Sequence, residues 1–408
     1  MVEFFRARWV LPISQPPIHD GWVAVEGGWI QAVGPTFPPS REHDSGNIRD
    51  LGNVAILPGL VNAHTHLELS YLHGRIPPTR SFGEWVREVI RLRAEYSDPS
   101  HPDIIEASRR AIEDARDAGT SLFGDISNTL ATIPLLRDAG IPARVFYELL
   151  GFTETDPEAR VRDARARVDA YGNDPSIPIS LAPHAVYSVS AALFRAIRSD
   201  LDLHADDVSS VHLGETPDEV ELLRHGRGEI REVLQALGRW PNGWTPPGVG
   251  PVHYLADLGV LDTRTLAVHG VQFDESDLRR LQALGVTIVS CPRSNLYVGV
   301  GSPPLEAFYD AGVPVAFGTD SLASVDDLSI FAELHEARRI APRVPASVLL
   351  ESATLVGARA LGFSAELGSI EVGKRADLLA VNVPHAVSDV EEYLVSAVQP
   401  RDIGWLTP

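Results

Sequence analysis

Two features of the sequence predict an α/β fold, a (β/α)8 TIM barrel that carries a small β-sandwich. Between residues 58 and 363, short apolar runs alternate with stretches whose apolar residues recur near every 3.6 positions. Strands that alternate with helices build parallel sheets. The two chain ends are β-rich and full of turn signals, and each is too small to bury a core alone. The economical arrangement pairs them with one another. The expected organisation is a composite β-sandwich from 1–57 plus 364–408, and a barrel over 58–363.

In chain order, the run from Trp22 to Val25, the pair Gly27-Gly28 and the run from Trp29 to Gly34 read as a hairpin, because a glycine pair suits a tight turn between alternating strands. The barrel strands are expected at 59–66, 121–127, 143–149, 177–183, 210–213, 266–271, 286–290 and 315–319. Helices are expected at 104–118 and 277–284, among others. The turn-rich stretch 241–251 reads as a connection, with a lid over the barrel mouth as the alternative. Beyond the barrel, Gly368-Ser369-Ile370 leads to the strand-like run ending at Val381.

Composition removes whole classes of function. Hydrophobic residues at 44% and charged residues at 22% exclude a disordered or collagenous chain. A net charge of −20 repels phosphate backbones and anionic lipid, so neither a nucleic-acid polymer nor a membrane is an expected partner. The single cysteine, Cys291, cannot form an internal disulfide and fits a cytoplasmic setting. The first residues carry Glu3, Arg6 and Arg8 and do not read as a signal peptide. Among 35 cationic side chains there is one lysine, Lys374, followed by Arg375. A Walker loop, a barrel Schiff base and a carbamylated-lysine bridge between two metals would all need a lysine elsewhere.

Several histidines fall where the expected strands end. His64 and His66 are separated by one residue, so on a strand both imidazoles share a face and form half a metal site. The ordinary reading of His-x-His is a pair of unrelated histidines; the strand opening at Pro58-Gly59 favours the metal. His212 ends the fifth strand, with Glu215 three residues on, where a carboxylate can move protons without binding metal. His269 ends the sixth strand and Asp320 follows the eighth. An aspartate there is often only a helix cap, yet the convergence of these ends on one barrel mouth points to a metal site.

These stretches resemble the amidohydrolase superfamily, in its metal-dependent deaminase and chlorohydrolase branch. The matching pieces are Pro58 to His66, Val211 to Glu215, the His269 strand end, Gly318-Thr319-Asp320-Ser321 and the terminal Gly368 to Leu379 motif. The resemblance implies one divalent ion, zinc first with iron or manganese as alternatives, held by His64, His66, His212 and Asp320. It implies Glu215 as proton shuttle, and His269 and Asp320 as the groups that orient or take the proton of the attacking water. The expected reaction replaces a ring amino group by oxygen and releases ammonia. A chlorohydrolase, an amide hydrolase and a catalytically dead scaffold are the alternatives.

For substrate contacts, the segment Pro183-His184-Ala185-Val186-Tyr187 resembles one that places a histidine against the substrate in the deaminase branch; His184 could instead tie a loop. Trp85 could stack on a ring or anchor its helix, Glu84 could accept ribose hydroxyls or simply be solvated, and Glu148 is a further hydroxyl-binding candidate. The segments Ser290 to Asn295, Gly318 to Ser324 and His66 to Ser70 are most similar to the aminodeoxyfutalosine deaminases of menaquinone biosynthesis, although Val325 departs from the asparagine expected there. That similarity adds Glu68 and Ser321 to the substrate set. It implies an adenine-type nucleoside with an anionic tail, for which Arg293 is the expected cation, or else a structural loop arginine. Adenosine, methylthioadenosine and S-adenosylhomocysteine are the alternative substrates, and a homodimer is compatible with the sequence.

Overall fold

The computed structural model describes residues 1–35, 47–79, 81–96 and 98–407. Parts of the expected sandwich, 36–46 and 408, lie outside the described residues.

All eight core strands form close to their expected positions: β1 (Leu60–Thr65), β2 (Thr120–Ser127), β3 (Ala143–Leu149), β4 (Ile179–Pro183), β5 (Ser209–Leu213), β6 (Thr265–His269), β7 (Thr287–Ser290) and β8 (Val315–Phe317). Their ladders make two parallel four-stranded sheets, β1 to β4 and β5 to β8, in sequence order. Isolated parallel bridges link the two sheets at Thr65–Asp320 and Ala185–His212. Seven of the eight strands are buried along their whole length, as expected for strands covered on both faces.

Two strands stop earlier than the sequence suggests. The expected eighth strand reaches 319, but β8 ends at Phe317, because the N–H groups of Thr319 and Asp320 both turn to the carbonyl of His64, at 3.1 and 3.0 Å. The expected sixth strand reaches 271, but β6 ends at His269, whose φ of 80° takes the chain out of the pleat. Both breaks lie at residues expected to carry the chemistry. Gly318 lets the two chain segments meet: a Cβ there would lie 2.7 Å from the His64 Cβ and carbonyl oxygen.

The chain ends form two further sheets. One orders Trp29–Gly34, Trp22–Glu26, Glu3–Arg6 and Ile48–Asp50. The other orders Ile403–Trp405, Leu378–Asn382, Val54–Pro58, Trp9–Val10 and Ile18–His19, and so draws on both termini. The glycine hairpin is present, with Gly27 and Gly28 at φ 59° and 81°. Phe5, Val23, Ile30, Ile56, Ile370 and Leu378 share one buried cluster. At roughly 1.5–3 kcal/mol for each such side chain, neither end could supply this core alone. Val54–Pro58 runs through Gly59 directly into β1, which fixes where His64 and His66 emerge.

The expected helices also form. One spans Pro102–Asp117 and another Glu275–Leu284, each beginning two residues early because His101 and Asp274 cap them. The stretch 241–250 is an irregular connection, pinned by Trp244 against Phe152 and Trp240 at ring distances of 5.7 and 5.2 Å.

Candidate metal centre and active site

The strand ends bring His64, His66, His212, His269 and Asp320 to one place. Two overlapping sets, His64/His212/His269 and His64/His66/Asp320, each offer ligand atoms within 4.8 Å of one another. The His64 ring lies 5.0, 4.9 and 5.8 Å from the rings of His66, His212 and His269. His66 Nε2 stands 3.3 Å from His212 Nε2 and 3.5 Å from Asp320 Oδ1.

Hydrogen bonds outside the cluster fix which atom each ligand presents. His212 Nδ1 donates to the His184 carbonyl at 2.9 Å, so its Nε2 keeps a lone pair. Asp320 Oδ2 accepts from the Ser294 hydroxyl at 2.6 Å and lies 3.1 Å from that of Ser324, which leaves Oδ1 facing His66. His269 Nδ1 donates to Asn295 Oδ1 at 2.9 Å, and its Nε2 points toward Glu215 Oε1 at 3.7 Å. Asp320 and His269 both have positive φ, 60° and 80°. Such strain in non-glycine residues clusters at functional sites.

A divalent ion fits these residues. Both ring nitrogens of the buried His64 lack a hydrogen-bond partner among the described residues, a costly condition unless a ligand takes a lone pair. Burial, and then His212 beside it, holds the His64 imidazole well below its ordinary pKa; burial lowers His212 to about 4. These imidazoles are neutral, as ligands must be. The separations of 3.3 and 3.5 Å place these ligand atoms close enough to share one ion.

Glu215 is buried beside this cluster and outside the two ligand sets. Burial first, then the charges of Asp320 and Glu219, push its carboxyl well above the usual range, so it holds a proton. A buried acid of this kind can give a proton and take it back.

The expected substrate residues are distributed less evenly. His184 lies at the mouth, its ring 4.8 Å from His212 and its Nδ1 2.5 Å from the Ser188 hydroxyl. Burial lowers its pKa to about 4. Glu148 accepts from Asn128 Nδ2 at 2.8 Å and stands 3.6 Å from His212 Nδ1. The Ser321 hydroxyl, beside Asp320, is buried without a partner among the described residues. Glu84 is exposed at the start of the Phe82–Arg93 helix.

Glu68 takes a task other than the expected one, and Trp85 and Arg293 follow the structural alternatives. Glu68 accepts from the Ser127 and Thr129 hydroxyls at 2.8 and 2.7 Å and from the Asn128 and Thr129 N–H groups at 3.0 and 3.2 Å. Its carboxylate therefore organises the loop after β2 and has little capacity left for a ligand. Trp85 donates its indole N–H to the Ala323 carbonyl at 3.1 Å and stacks on Phe82, the helix-anchor alternative. Arg293 pairs with Asp327 at 2.7 Å, with Glu333 3.6 Å away, because its short helix Pro292–Tyr297 turns the guanidinium toward them. The expected tail cation is thus committed to carboxylates of its own chain.

That pairing has a measurable consequence. Arg293→Met is expected to destabilise the fold by about 1–3 kcal/mol, the cost of one buried polar group losing its partner, with equal proportional effects on all substrates. Burial holds the Glu333 carboxyl up at about 8. The stability gained from its proton is lost as pH rises through that value, and without Arg293 the loss continues to higher pH. Thermal melts should therefore show the gap between variant and wild type widening above pH 8.

Asn295 has no counterpart among the sequence-derived site residues, although it ends a segment that the sequence singles out. Asn295→Leu removes the acceptor that fixes the His269 tautomer. It is expected to retain metal and lose 10–100-fold in kcat, by the usual worth of such supporting contacts. Metal analysis beside steady-state kinetics checks both halves.

An ion that makes water nucleophilic, set beside a buried acid at the C-terminal ends of parallel strands, is the equipment of a metal-dependent hydrolase. Residues 55–399 match the Amidohydrolase family, and the chain belongs to that family. A relative from Moorella thermoacetica, a 5-methylthioadenosine/S-adenosylhomocysteine deaminase, is 30% identical over 97% of this chain and 90% of its own. The structure of an adenosine deaminase from Xanthomonas campestris with bound zinc is similar at a TM-score of 0.82 and 29% identity, over 98% of this chain and 90% of that one. Helicobacter pylori aminofutalosine deaminase, solved with methylthio-coformycin, shares the fold at a TM-score of 0.83 and 24% identity, over 96% and 95% of the two chains. The chain is a hydrolase acting on carbon–nitrogen bonds, a deaminase, and its His/Asp cluster is a divalent-metal site. Among the described residues, no helix is long and apolar enough to cross a membrane.

Proposed function

We propose that this protein hydrolytically deaminates the adenine ring of a small nucleoside, with zinc as its ion and 6-amino-6-deoxyfutalosine as its principal substrate. The reading rests on one observation above all: a buried Glu215, its carboxyl pushed up chiefly by burial, stands 3.7 Å from His269 Nε2, beside the His/Asp cluster. His64, His66, His212 and Asp320 hold the ion. When bound, it supplies a Lewis acid that lets water attack at neutral pH. His269, its tautomer fixed by Asn295, orients that water through Nε2, and Asp320 Oδ1 takes its proton. Glu215 would donate to the ring nitrogen next to the carbon under attack, which makes that carbon electrophilic, and would then recover a proton from the added hydroxyl as the proton held by Asp320 leaves with the ammonia. His184 and Glu148 face the nucleoside. The two parallel sheets act as one closed barrel over 58–363, with the composite sandwich of 1–57 plus 364–408 bracing β1. The partner is a small molecule in the cytoplasm, with neither nucleic-acid polymer nor membrane involved.

An anionic 5′ substituent needs a cation. Arg93, the last residue of the Phe82–Arg93 helix, donates to Asn128 Oδ1 at 3.1 Å, and its charge bears on His66, His184 and Glu148. It is itself paired with Glu68 at 3.7 Å, and in this reading it serves the tail in place of Arg293. The second reading, methylthioadenosine, S-adenosylhomocysteine or adenosine as substrate, is favoured by the name of the Moorella relative. Ammonia release from these four nucleosides separates the readings. Highest kcat/KM on aminodeoxyfutalosine supports the first, and highest kcat/KM on any of the others supports the second. No ammonia from any of them would refute the nucleoside assignment.

A further inference from the structure

We infer that Glu219 is a positioning residue for the proton shuttle, acting through the backbone of the loop that carries Glu215. Glu219 lies in the first turn of the Pro217–His225 helix and is fully buried. An acid at this helix position ordinarily reaches back to the N–H of the capping residue. Here it keeps that contact with the Thr216 N–H and also reaches further. One oxygen accepts from the Gly214 N–H and the other from the Glu215 N–H, each at 3.0 Å.

No basic side chain forms an ion pair with Glu219 among the described residues, and burial raises its carboxyl to about 7. Burying a carboxylate without a cation is unfavourable. A helix cap alone does not call for it, since Thr216 already caps the helix by accepting from the Asp218 N–H. What the carboxylate does in addition is hold two successive peptide N–H groups, and those two peptides set the direction in which the Glu215 side chain leaves the chain.

The other side of the same loop is equally constrained. Gly214 has a φ of 65°, and a Cβ there would stand 2.5 Å from the Phe273 ring. The Gly214 carbonyl accepts from the Gln272 N–H at 2.8 Å, and the Leu213 carbonyl from the Gly270 N–H at 3.1 Å. The loop end of β5 is thus gripped between the end of β6 on one side and Glu219 on the other. β6 also delivers His269. Glu215 and His269 are therefore held relative to one another by backbone contacts that survive changes at the ligands.

This inference rests on Glu215 being the proton shuttle, and a double-mutant cycle tests it. Glu219→Gln preserves volume but offers one acceptor and one NH2 where two acceptors are needed, so one peptide loses its anchor. Expected are unchanged metal content, KM within about threefold of wild type and a kcat lowered roughly 10²-fold, the scale of a misplacement near 1 Å. A fold prop without a positioning role would lower melting temperature and leave kcat per folded molecule alone. In the background of Glu215→Gln, adding Glu219→Gln should cost no more than about threefold, because the group being positioned is already gone. Full additivity of the two losses would overturn the inference. If Glu219→Gln does not fold, Glu219→Asp, which shortens the reach, carries the same cycle. A Glu215→Gln variant within a few-fold of wild-type kcat would instead refute the shuttle assignment itself, so the two failures are distinguishable.

Discussion

Glu215→Gln is expected to lose ~10²–10⁴-fold in kcat, the usual worth of a positioned general acid–base, while metal content and melting temperature stay near wild type. The side chain is buried, and that burial, with Asp320 and Glu219 beside it, pushes its carboxyl well above the usual range and so favours the protonated form. The neutral amide is therefore a close substitute for the neutral acid in shape, charge and desolvation. What the amide lacks is a proton it can give up and take back. The same structural argument that makes the variant stable makes it inactive, and a loss confined to a few-fold would show that the proton travels by another route. The effect should fall on kcat and kcat/KM together, because the transfer belongs to the transition state and not to substrate binding.

How much of this was legible in the sequence depends on how local each residue's task is. His64 and His66 reveal themselves by strand period and by the Pro58-Gly59 opening. His212, His269 and Asp320 reveal themselves by ending apolar runs, and the structure brings all five together. Glu219 is different: from sequence it is one more acid in a helix's first turn, and only the fold shows that it reaches back to Gly214 and Glu215. Asn295 is likewise silent until β6 and β7 lie side by side. The arginines show the limit most clearly. Arg293 is adjacent to a strand end in sequence, but its helix turns it toward Asp327, while Arg93, at the far end of the helix after β1, is the guanidinium whose charge reaches the site. Proximity along the chain ranks strand-end ligands well and ranks long, flexible side chains poorly. The early ends of β6 and β8 share one cause: the positive φ at His269 and the turn of Thr319 and Asp320 onto His64 are tertiary demands that override strand propensity.

His64→Ala is expected to abolish metal binding and with it nearly all turnover, and the readout is the sensitivity of the fold to chelation. Wild-type protein should carry about one divalent ion per chain. The lone lysine cannot bridge a second: Lys374 Nζ lies in the C-terminal segment, 2.7 Å from the Ser369 hydroxyl and 3.2 Å from Glu371. An ion bound only by the folded state stabilises it, by about 4 kcal/mol at a free concentration a thousand times its Kd. Wild-type protein should therefore melt at a lower temperature when a chelator removes the ion, and regain its melting temperature when the ion is returned. In His64→Ala the chelator should change nothing, because the ligand that both sets share is gone. The variant also removes two buried nitrogens that lack hydrogen-bond partners among the described residues, each a cost of about 1–3 kcal/mol to the metal-free fold, against which stands the cavity left by the ring. These oppose one another, so metal-free wild type and metal-free variant should melt within a few degrees. Two tightly held ions per chain, or a variant that still melts differently with chelator, would show that the ligands have been assigned wrongly.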